Sequence, residues 1–427
     1  MNQITRRSFV TQALGAAAGS LALGRPLAEA ETADPAPGPV AEVNPKASRP
    51  NIVYLIMEDI SPALGCYGQP LVRTPRVDRL ASQGIRFSHA FCTAPVCSAS
   101  RSAIFTGCYQ TAIGGEQHRT WEWNKRPLPA PARHLCDWYR AAGYFTCNLH
   151  PPRSEMKGKP LLFADRGCGK IDLNFTIKNP SQGDPFDGWD WTERRPGQPF
   201  FAHLTIFETH KGPGWKLARR QPRSELVDPA AITVPPFYPD DPIVRDEMAN
   251  FLDVVHLCDG YVGRLLDRLE REGLAENTIV VLGSDHGALA HGKQFMYDDG
   301  LRVPLIIRFP DGRQAGRVDD RMVSSVDLAP TMLGLAGIKP PAGAMHGYDL
   351  FHPAATARDC IFAARDRMDI AIDRMRAVRT RRYKYIRNEL PAVPYMQHIK
   401  YEDIVDVYRG FFGDQLFELE GSGKPVA

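Results

Sequence analysis

The segment "APVCSASRSAIFTG", residues 94–107, places a cysteine close to an arginine in a chain whose first residues resemble an export signal. Cys97 is followed by Ser98, Ser100 and Arg101. A thiol of an exported protein meets an oxidising compartment. Cys97 is therefore either a buried or bridged structural cysteine, or a residue that is not a thiol when it acts, and other polar residues must decide between these interpretations.

Acidic and basic side chains follow three apolar runs of the chain: Glu58 and Asp59 after "NIVYLIM", Glu208 and His210 after "FFAHLTIF", Asp285 and His286 at the end of "TIVVLGSDH", and Lys293 eight residues beyond Asp285. Carboxylate oxygens of this kind favour a hard divalent cation, calcium or magnesium. A zinc site would need more histidines. Each carboxylate taken alone is also typical of a helix cap or a loop ion pair.

The order of the apolar runs predicts an α/β fold. "NIVYLIM", "FFAHLTIF", "NTIVVLGSD" and "VPLIIRF" are typical of buried strands. "PRVDRLASQG", closed by Gly84, residues 244–272 and "VDLAPTMLGLAG" have helical patterns. This alternation predicts a doubly wound, mostly parallel sheet flanked by helices, with ligand groups at the carboxyl ends of its strands. We expect a catalytic domain over residues 51–340 and, from the shorter segments after "IKPPAG", a small C-terminal α+β subdomain over residues 341–427.

The N-terminus resembles a twin-arginine export signal over residues 1–30. Arg6 and Arg7 precede a short Ala/Leu/Gly stretch, and Ala28-Glu29-Ala30 offers a cleavage site. The stretch is too short and too rich in glycine for a permanent membrane span, although a retained anchor is the alternative. Residues 31–50 form a proline-rich linker. The sequence therefore predicts an exported protein, periplasmic or secreted.

Composition limits the class of protein further. With 427 residues, of which 43% are hydrophobic and 24% charged, the chain can bury a large core. Its net charge of +3 is too small to indicate a nucleic-acid partner. The nine cysteines form no CxxC pairs, which argues against a zinc ribbon or a disulfide framework. The basic run "RMRAVRTRRYKYIRN" is typical of a solvated strand pair, and its alternative is a surface for an acidic substrate.

Several segments together resemble type I sulfatases of the alkaline phosphatase superfamily. "CSASR" followed by "SAIFTG" resembles the signature in which a cysteine is oxidised to formylglycine. Further segments match the family in order: "NIVYLIMEDISPALGCYG", "TPRVDRLASQGIRFSHAF", "IVVLGSDHGALAHGKQFMYDDGLRVPLIIRFP" and "RAVRTRRYKYIRN". "GGEQHRT" and "FAARDRMD" resemble the sulfamidase-like branch. The resemblance implies hydrolysis of a sulfated small molecule or glycan, as ester or sulfamate, and a maturation enzyme that generates formylglycine.

The resemblance also implies roles for residues of this chain. Residue 97 would be formylglycine, and one Ca²⁺ ion, or alternatively Mg²⁺, would be bound. The implied metal ligands are Glu58, Asp59, Asp285 and His286, and the implied catalytic residues are Cys97, Arg101, Lys170, His210 and Lys293. The amide groups of a helix starting near Ser98 would face the bound anion.

The chain departs from the family pattern at several positions. Ala99 stands where the family usually has proline, Glu58 where it has aspartate, and His286 where it has asparagine. A lysine and histidine pair is expected after "AAGYFTCN". We interpret residues 149–167 as an insertion, so that Lys170 takes the lysine role and Asp172 the place of the histidine. His150 competes for the histidine role, and His118 lies either in the substrate pocket or at the surface.

Two other functions are compatible with the sequence. The first is hydrolysis of a phosphate or phosphonate ester, because both substrates are tetrahedral anions that suit similar metal sites. The second is a sulfatase-like binding protein without catalysis, in which Cys97 stays unmodified because of Ala99.

Overall fold

The computed structural model describes residues 49–149, 170–177, 185–211, 213–236, 238–288, 292–394 and 399. Its strands are β1 (Asn51–Met57), β2 (Gly84–Phe91), β3 (Phe145–Asn148), β4 (Phe200–Ile206), β5 (Thr278–Gly283), β6 (Arg302–Arg308), β7 (Arg317–Ser324), β8 (Cys360–Arg365), β9 (Met375–Thr380) and β10 (Lys384–Asn388). Its α-helices are α1 (Pro75–Ser82), α2 (Cys97–Thr106), α3 (Leu135–Ala141), α4 (Pro213–Ala218), α5 (Pro242–Arg271), α6 (Asp298–Leu301) and α7 (Leu328–Leu335).

Seven strands form one sheet in the order β3-β4-β1-β5-β6-β2-β7. The pairs β3–β4, β4–β1, β1–β5 and β2–β7 are parallel, whereas β6 is antiparallel to β5 and β2. The expected mostly parallel α/β sheet is therefore confirmed. The carboxyl ends of β1, β4 and β5 lie side by side, so side chains that follow these strands meet at one edge.

The two faces of the sheet pack against separate apolar cores. Along β1, Ile52, Tyr54 and Ile56 join one core, and Val53, Leu55 and Met57 join the other. The first core includes side chains of α3 and α7, and the second includes side chains of α1 and α5. Each fully buried large apolar side chain stabilises the fold by about 1.5–3 kcal/mol. Burial on both faces explains why β1 reads as a continuous apolar run.

Local signals fix where individual elements begin. Asp241 caps α5 by accepting a hydrogen bond from the amide of Ile243 at 2.8 Å, and Pro242 occupies the first helical position. The expectation that Gly84 closes the preceding helix is wrong. α1 ends at Ser82, and Gly84 opens β2. A Cβ atom at Gly84 would lie 2.3 Å from the carbonyl oxygen of Ile307, so glycine lets β2 and β6 approach each other.

The segments after residue 341 contain a second, antiparallel sheet in the order β10-β9-β8. The basic run at β9 and β10 forms the expected strand pair. Backbone hydrogen bonds join the residues around β8 to segments on either side of α2: Ala364 donates to the carbonyl of Thr93, and His118 donates to that of Arg367, both at 2.9 Å. The proposed domain boundaries remain predictions. Among the described residues, no helix combines the length and apolarity that crossing a membrane would need.

Candidate active site

The acidic residues that follow β1 and β5 are linked by one carboxylate. Oδ1 of Asp285 accepts hydrogen bonds from the amides of Asp59, at 3.2 Å, and His286, at 3.1 Å. Asp59 adopts a φ of 51°, in the left-handed region that non-glycine residues rarely occupy. Glu58 continues the pairing of β1 with β4 by donating its amide to the carbonyl of Ile206 at 3.1 Å. The loops after two neighbouring strands thus present their carboxylates to the same space.

Four buried side chains converge in that space. Asp59, Cys97, Asp285 and His286 each offer a ligand atom, and these atoms all lie within 4.8 Å of one another. Nε2 of His286 lies 3.0 Å from Oδ1 of Asp59 and 3.2 Å from Sγ of Cys97. Nδ1 of His286 donates to the carbonyl of Gly287 at 2.9 Å, which turns Nε2 toward the cluster. We call these four residues the acidic cluster.

Glu58 lies beside the acidic cluster. Its Oε1 accepts a hydrogen bond from Nζ of Lys170 and lies 3.9 Å from Nη2 of Arg101. Its Oε2 is buried and has no hydrogen-bond partner among the described residues. Burial raises the pKa of the Glu58 carboxyl to about 8, although Lys170 and Arg101 oppose this shift. Burial thus outweighs the two neighbouring cations at this carboxyl.

Arg101 connects the acidic cluster to β4. It lies one helical turn after Cys97 in α2, so both residues share one face of the helix. Its Nε donates to Oδ2 of Asp285 at 2.9 Å, and its Nη1 donates to Oγ1 of Thr205 at 3.1 Å and to the carbonyl of Lys170 at 3.2 Å. Burial lowers the pKa of Arg101, but the Asp285 and Glu58 carboxylates outweigh it and raise this pKa.

Two lysines bring positive charge to the cluster. Nζ of Lys293 donates to Oδ2 of Asp59 at 2.7 Å, and Lys170 bonds Glu58. Burial by itself would raise the pKa of the Cys97 thiol, but these lysines, followed by His286, hold it well below its usual value. In the same way, Lys293 and His286 overcome burial and hold the pKa of the Asp59 carboxyl far below its usual value. An anion at Cys97 is therefore stabilised by its surroundings.

His210 lies at the edge of the cluster, where the sequence places it after β4. Its Nε2 is 4.0 Å from Oδ2 of Asp59, and its ring stacks on that of Phe207 with centroids 4.8 Å apart. Its Nδ1 donates to the carbonyl of Lys211 at 3.1 Å. Burial, helped by the charge of Lys293, lowers the pKa of His210 to about 4, so the ring is neutral at neutral pH in this state.

His118 is fully buried and is not a surface residue. Its imidazole helps to lower the pKa of the Cys97 thiol, and its Nδ1 lies 3.5 Å from Oδ1 of Asp369. Asp172 lies 3.8 Å from Nζ of Lys170 and 3.6 Å from Nε of Arg119. The structure therefore brings both Lys170 and Asp172 to the site. His150, the competing candidate, and most of the proposed insertion at residues 149–167 lie outside the described residues.

Three residues that contact the site were not identified from the sequence. Thr205 is the penultimate residue of β4, and only a polar residue inside an apolar strand signals it. Phe207 stacks on His210 and lies under Nζ of Lys170, 5.5 Å from its ring centroid. Asp369 ends the segment "FAARDRMD", which the sequence singles out without a role for the aspartate.

The fold is an α/β sheet that carries a buried cluster of acids, histidine and cysteine at its carboxyl edge, an arrangement typical of a hydrolase active site. The family model described as sulfatase matches residues 50–338, and the chain belongs to the sulfatase family. A second model, described as N-sulphoglucosamine sulphohydrolase, C-terminal, matches residues 285–393. This second match agrees with the resemblance of "FAARDRMD" to the sulfamidase-like branch.

Curated relatives agree with this family. The chain is 31% identical over 424 residues to an ulvan-active sulfatase of Formosa agariphila, an alignment covering 88% of this chain and 66% of the relative. It is 27% identical over 366 residues to the N-acetylgalactosamine-6-sulfatase of Canis lupus familiaris, covering 70% of this chain and 65% of the relative. The chain thus spans just under two thirds of the length of these relatives.

Solved structures share the fold. BT4656 in complex with its substrate D-glucosamine-2-N,6-O-disulfate matches with a TM-score of 0.58 and 21% identity, covering 87% of this chain and 96% of that one. The phosphonate monoester hydrolase of Agrobacterium radiobacter matches with a TM-score of 0.57 and 18% identity, covering 88% and 96%. At these identities the likeness establishes the fold alone. The two matching proteins act on a sulfated sugar and on phosphonate monoesters, respectively.

Proposed function

We propose that this protein hydrolyses a sulfate ester or sulfamate of a sulfated carbohydrate, using formylglycine at residue 97 and one divalent cation. The observation that carries the proposal is the convergence of Cys97 with Asp59, Asp285 and His286 within 4.8 Å. A structural cysteine has no need of buried carboxylates and lysines around it. A nucleophile that must meet a metal ion and a sulfate group does.

The residues present fit a hard divalent cation. Asp59, Asp285 and His286 would hold it, and the unpartnered Oε2 of Glu58 offers a further oxygen ligand. Calcium is the ion we propose, with magnesium as the alternative. When bound, such an ion lowers the pKa of a coordinated hydroxyl and polarises a sulfate oxygen.

The family pattern has a cysteine at residue 97 because formylglycine is made from it. As hydrated formylglycine it carries two hydroxyls on one carbon, so that one can attack sulfur and the other can later expel sulfate. A serine would form a sulfate ester without a second hydroxyl to release it. The oxidation requires a separate maturation enzyme, which must accept Ala99 within "CSASR".

The other residues act on the sulfate group and on the nucleophile. Lys170 pairs with Glu58, and Lys293 pairs with Asp59. Both ammonium groups would bind the sulfate oxygens as negative charge moves to the leaving group. Arg101 would stabilise the hydrated aldehyde from one helical turn away. The first amides of α2 would face the same anion.

His210 is the candidate proton donor to the leaving group. Because its Nδ1 donates to the carbonyl of Lys211, Nε2 of the neutral ring is an acceptor. The negative charge of a bound sulfate ester favours the charged ring and raises its pKa. The proton would then reside on Nε2, on the side that faces Asp59 and the cluster. His118 and Asp172 complete the substrate pocket.

The names of the relatives support the choice of substrate class. Their names describe action on ulvan and on sulfated N-acetylgalactosamine, and one matching structure holds a sulfated glucosamine. We therefore propose a sulfated saccharide as substrate. Residues 1–30 would direct export through a twin-arginine route, which places the enzyme where such glycans occur.

One preparation tests the proposal. The protein is co-produced with a formylglycine-generating enzyme, and the peptide containing residue 97 is weighed, with an expected loss of about 18 Da where thiol oxidation would add mass. Sulfate release is then measured on a sulfate ester, a sulfamate, an aryl phosphate and a phosphonate monoester. Turnover of the phosphorus substrates alone would favour the phosphonate hydrolase. An unmodified Cys97 with sulfate binding but no turnover would make the chain a binding protein.

A further inference from the structure

The most exposed apolar side chains gather on two segments beside His118. Among large hydrophobic residues in the described part of the chain, the four highest exposures are those of Ile370 (81%), Trp123 (77%), Ile372 (65%) and Trp121 (63%). Lone exposed apolar residues are ordinary on protein surfaces, but several on two segments that meet at one residue indicate a binding surface. We call these four residues the apolar rim.

Both segments of the apolar rim are fixed to the candidate active site. Nη2 of Arg367 donates to the carbonyl of His118 at 2.8 Å, and Asp369 lies 3.5 Å from the ring of His118. Ile370 is the next residue. Trp121 follows His118 by three residues, so their Cα atoms are at most about 11 Å apart. The amide of Arg119, which lies between His118 and Trp121 in the sequence, donates to Oγ of Ser98, the residue after Cys97, at 2.8 Å.

The side chain of Asn174 holds the segment that leads to the two tryptophans. Nδ2 of Asn174 donates to the carbonyl of Gly115 at 2.7 Å, and its Oδ1 accepts from the amide of Thr120 at 3.0 Å. The rings of Trp121 and Trp123 stack in parallel, 5.2 Å apart with an interplanar angle of 4°. One face of each indole therefore packs against the other indole, while the pair remains mostly exposed.

Together these features point to the chemistry of the occupant. The faces of a pyranose ring present C–H groups, whose slight positive charge suits the negative face of an indole. Arg119, half-exposed between His118 and Trp121, adds a cation beside the rim. An isologous contact between two copies would instead place Arg119 against its own equivalent region and close both sites. The rim thus suits an anionic glycan better than a second copy.

We propose that the apolar rim binds the sugar next to the one that loses its sulfate, and so selects oligosaccharides over small sulfates. This inference rests on the proposed sulfatase function. The tryptophans would contact the ring of that neighbouring sugar, and Arg119 would contact its sulfate or carboxylate. The isoleucines, on the second segment, would add apolar surface for the same sugar.

The test compares two substrates on the matured protein. For the double variant Trp121→Ala/Trp123→Ala, kcat/KM is measured on sulfated tetrasaccharides from ulvan and from heparin and on an aryl sulfate. We expect the ratio of kcat/KM on the tetrasaccharide to kcat/KM on the aryl sulfate to fall about tenfold or more. Calorimetry should show a rise of similar size in the Kd of the tetrasaccharide. Trp121→Phe should restore part of the ratio, because it keeps a flat ring.

Trp189→Ala is the matched control. Trp189 is also exposed, but its neighbour Asp190 pairs with Arg268 near the end of α5, on the side of the sheet where β5 begins. This variant should leave the ratio unchanged. An equal fall on both substrates in the double variant would show that the tryptophans merely hold His118, which overturns the proposal, as would an unchanged ratio.

Failure of the sulfatase function is distinguishable from failure of this inference. If wild-type protein cleaves neither substrate, the tetrasaccharide Kd still decides, since a tenfold weakening in the double variant supports the rim and an unchanged Kd overturns it. If no tetrasaccharide binds and the double variant loses a dimer seen by sedimentation, the rim is a contact between copies and the proposal is wrong.

Discussion

Nε of Arg101 donates a hydrogen bond to Oδ2 of Asp285 at 2.9 Å, and both side chains are fully buried. Asp285 in turn accepts the amides of Asp59 and His286, so the arginine supports the carboxylate that joins the ends of β1 and β5. An uncompensated charge at this depth is costly. The geometry of the cluster therefore depends on Arg101 as much as on the acids themselves.

Replacing Arg101 should affect folding and activity together. Arg101→Ala leaves Asp285 without its guanidinium partner, and we expect a loss of about 3–5 kcal/mol in the free energy of unfolding along with loss of sulfate release. Arg101→Lys keeps the charge but cannot reach three acceptors, so its loss of stability should be smaller. Urea unfolding at neutral pH measures both. Equal stability of all three proteins would contradict the role assigned to this pair.

Thr205 is expected to position Arg101 rather than to touch substrate. Its hydroxyl contacts Nη1 of Arg101, the carbonyl of Lys170 and Nε2 of His203, each at 3.1 Å. Thr205→Val removes these bonds at nearly constant shape, which should cost about 1–3 kcal/mol of stability. We expect kcat to fall roughly tenfold with little change in KM, since about 1.4 kcal/mol of the barrier is at stake.

Thr205→Ser is the matched variant, because it keeps the hydroxyl and loses only a methyl group. It should retain most of the kcat. If the serine variant loses as much kcat as the valine variant, the hydroxyl is not what holds Arg101, and packing of the methyl group is the cause.

The sequence indicated for a physical reason that the acidic residues lie together. Side chains that follow parallel strands meet at one edge, so Glu58, Asp59 and Asp285 could be placed together without coordinates. Contacts made across the sheet or from distant loops leave no such pattern. Thr205 reads as an ordinary strand residue, and Asp369 meets His118 only because the segment after β8 folds back over α2.

The direction of β6 and the role of Gly84 could not be predicted from the sequence either. β6 has the apolar run of any buried strand, and nothing in its composition indicates that it is antiparallel to β5. Gly84 follows a helical pattern and so resembles a helix terminator, but its small size serves the close approach to Ile307. Both features are decided by neighbours far away in the sequence.

Calcium should stabilise the folded protein through the acidic cluster. A ligand that binds only the native state at a hundred times its Kd adds about 2.7 kcal/mol to the free energy of unfolding. We expect calcium to raise the Tm of wild-type protein and chelation to lower it. Asp59→Asn should abolish this response, because it removes a carboxylate from the centre of the cluster. Differential scanning calorimetry with and without calcium measures both.

Asp319→Asn controls for the general effect of losing a buried acid. Asp319 lies in β7, outside the acidic cluster, and pairs with Arg321 at 2.8 Å. Its response to calcium should equal that of wild type. A calcium response that survives in Asp59→Asn would show that the ion binds elsewhere, and stoichiometric zinc in active protein would contradict the choice of metal.

Acid should destabilise the protein partly through His134. Its Nδ1 accepts the amide of Cys136 at 3.1 Å and so caps α3, while its ring stacks on Phe105. Burial, and secondly Arg140, lowers the pKa of His134 to about 3. The unfolded chain takes up this proton near its ordinary pKa of about 6.5. Stability therefore falls as pH drops from about 6.5 toward 3, by roughly 1.4 kcal/mol per unit from this residue.

His134→Asn keeps a capping acceptor but does not titrate in this range. Between about pH 7 and pH 5 the wild type should lose about 2 kcal/mol more than this variant, measured by urea unfolding at each pH. Parallel losses in the two proteins would mean that other groups account for the acid sensitivity, and that His134 has the same pKa in both states.

Residue 97 gives the sharpest separation between a structural and a catalytic cysteine. Cys97→Ser preserves shape and hydrogen bonding next to His286, so we expect a normal Tm and no turnover. A serine that accepts sulfate has no second hydroxyl to expel it, and the variant should gain about 80 Da in this peptide from trapped SO₃. Cys108→Ser is the control, since Cys108 is a buried core thiol whose pKa is raised by burial. That variant should lose some stability and keep its activity per folded molecule.

Full activity in well-folded Cys97→Ser would overturn the formylglycine mechanism, because no other cysteine lies within the acidic cluster in the described part of the chain.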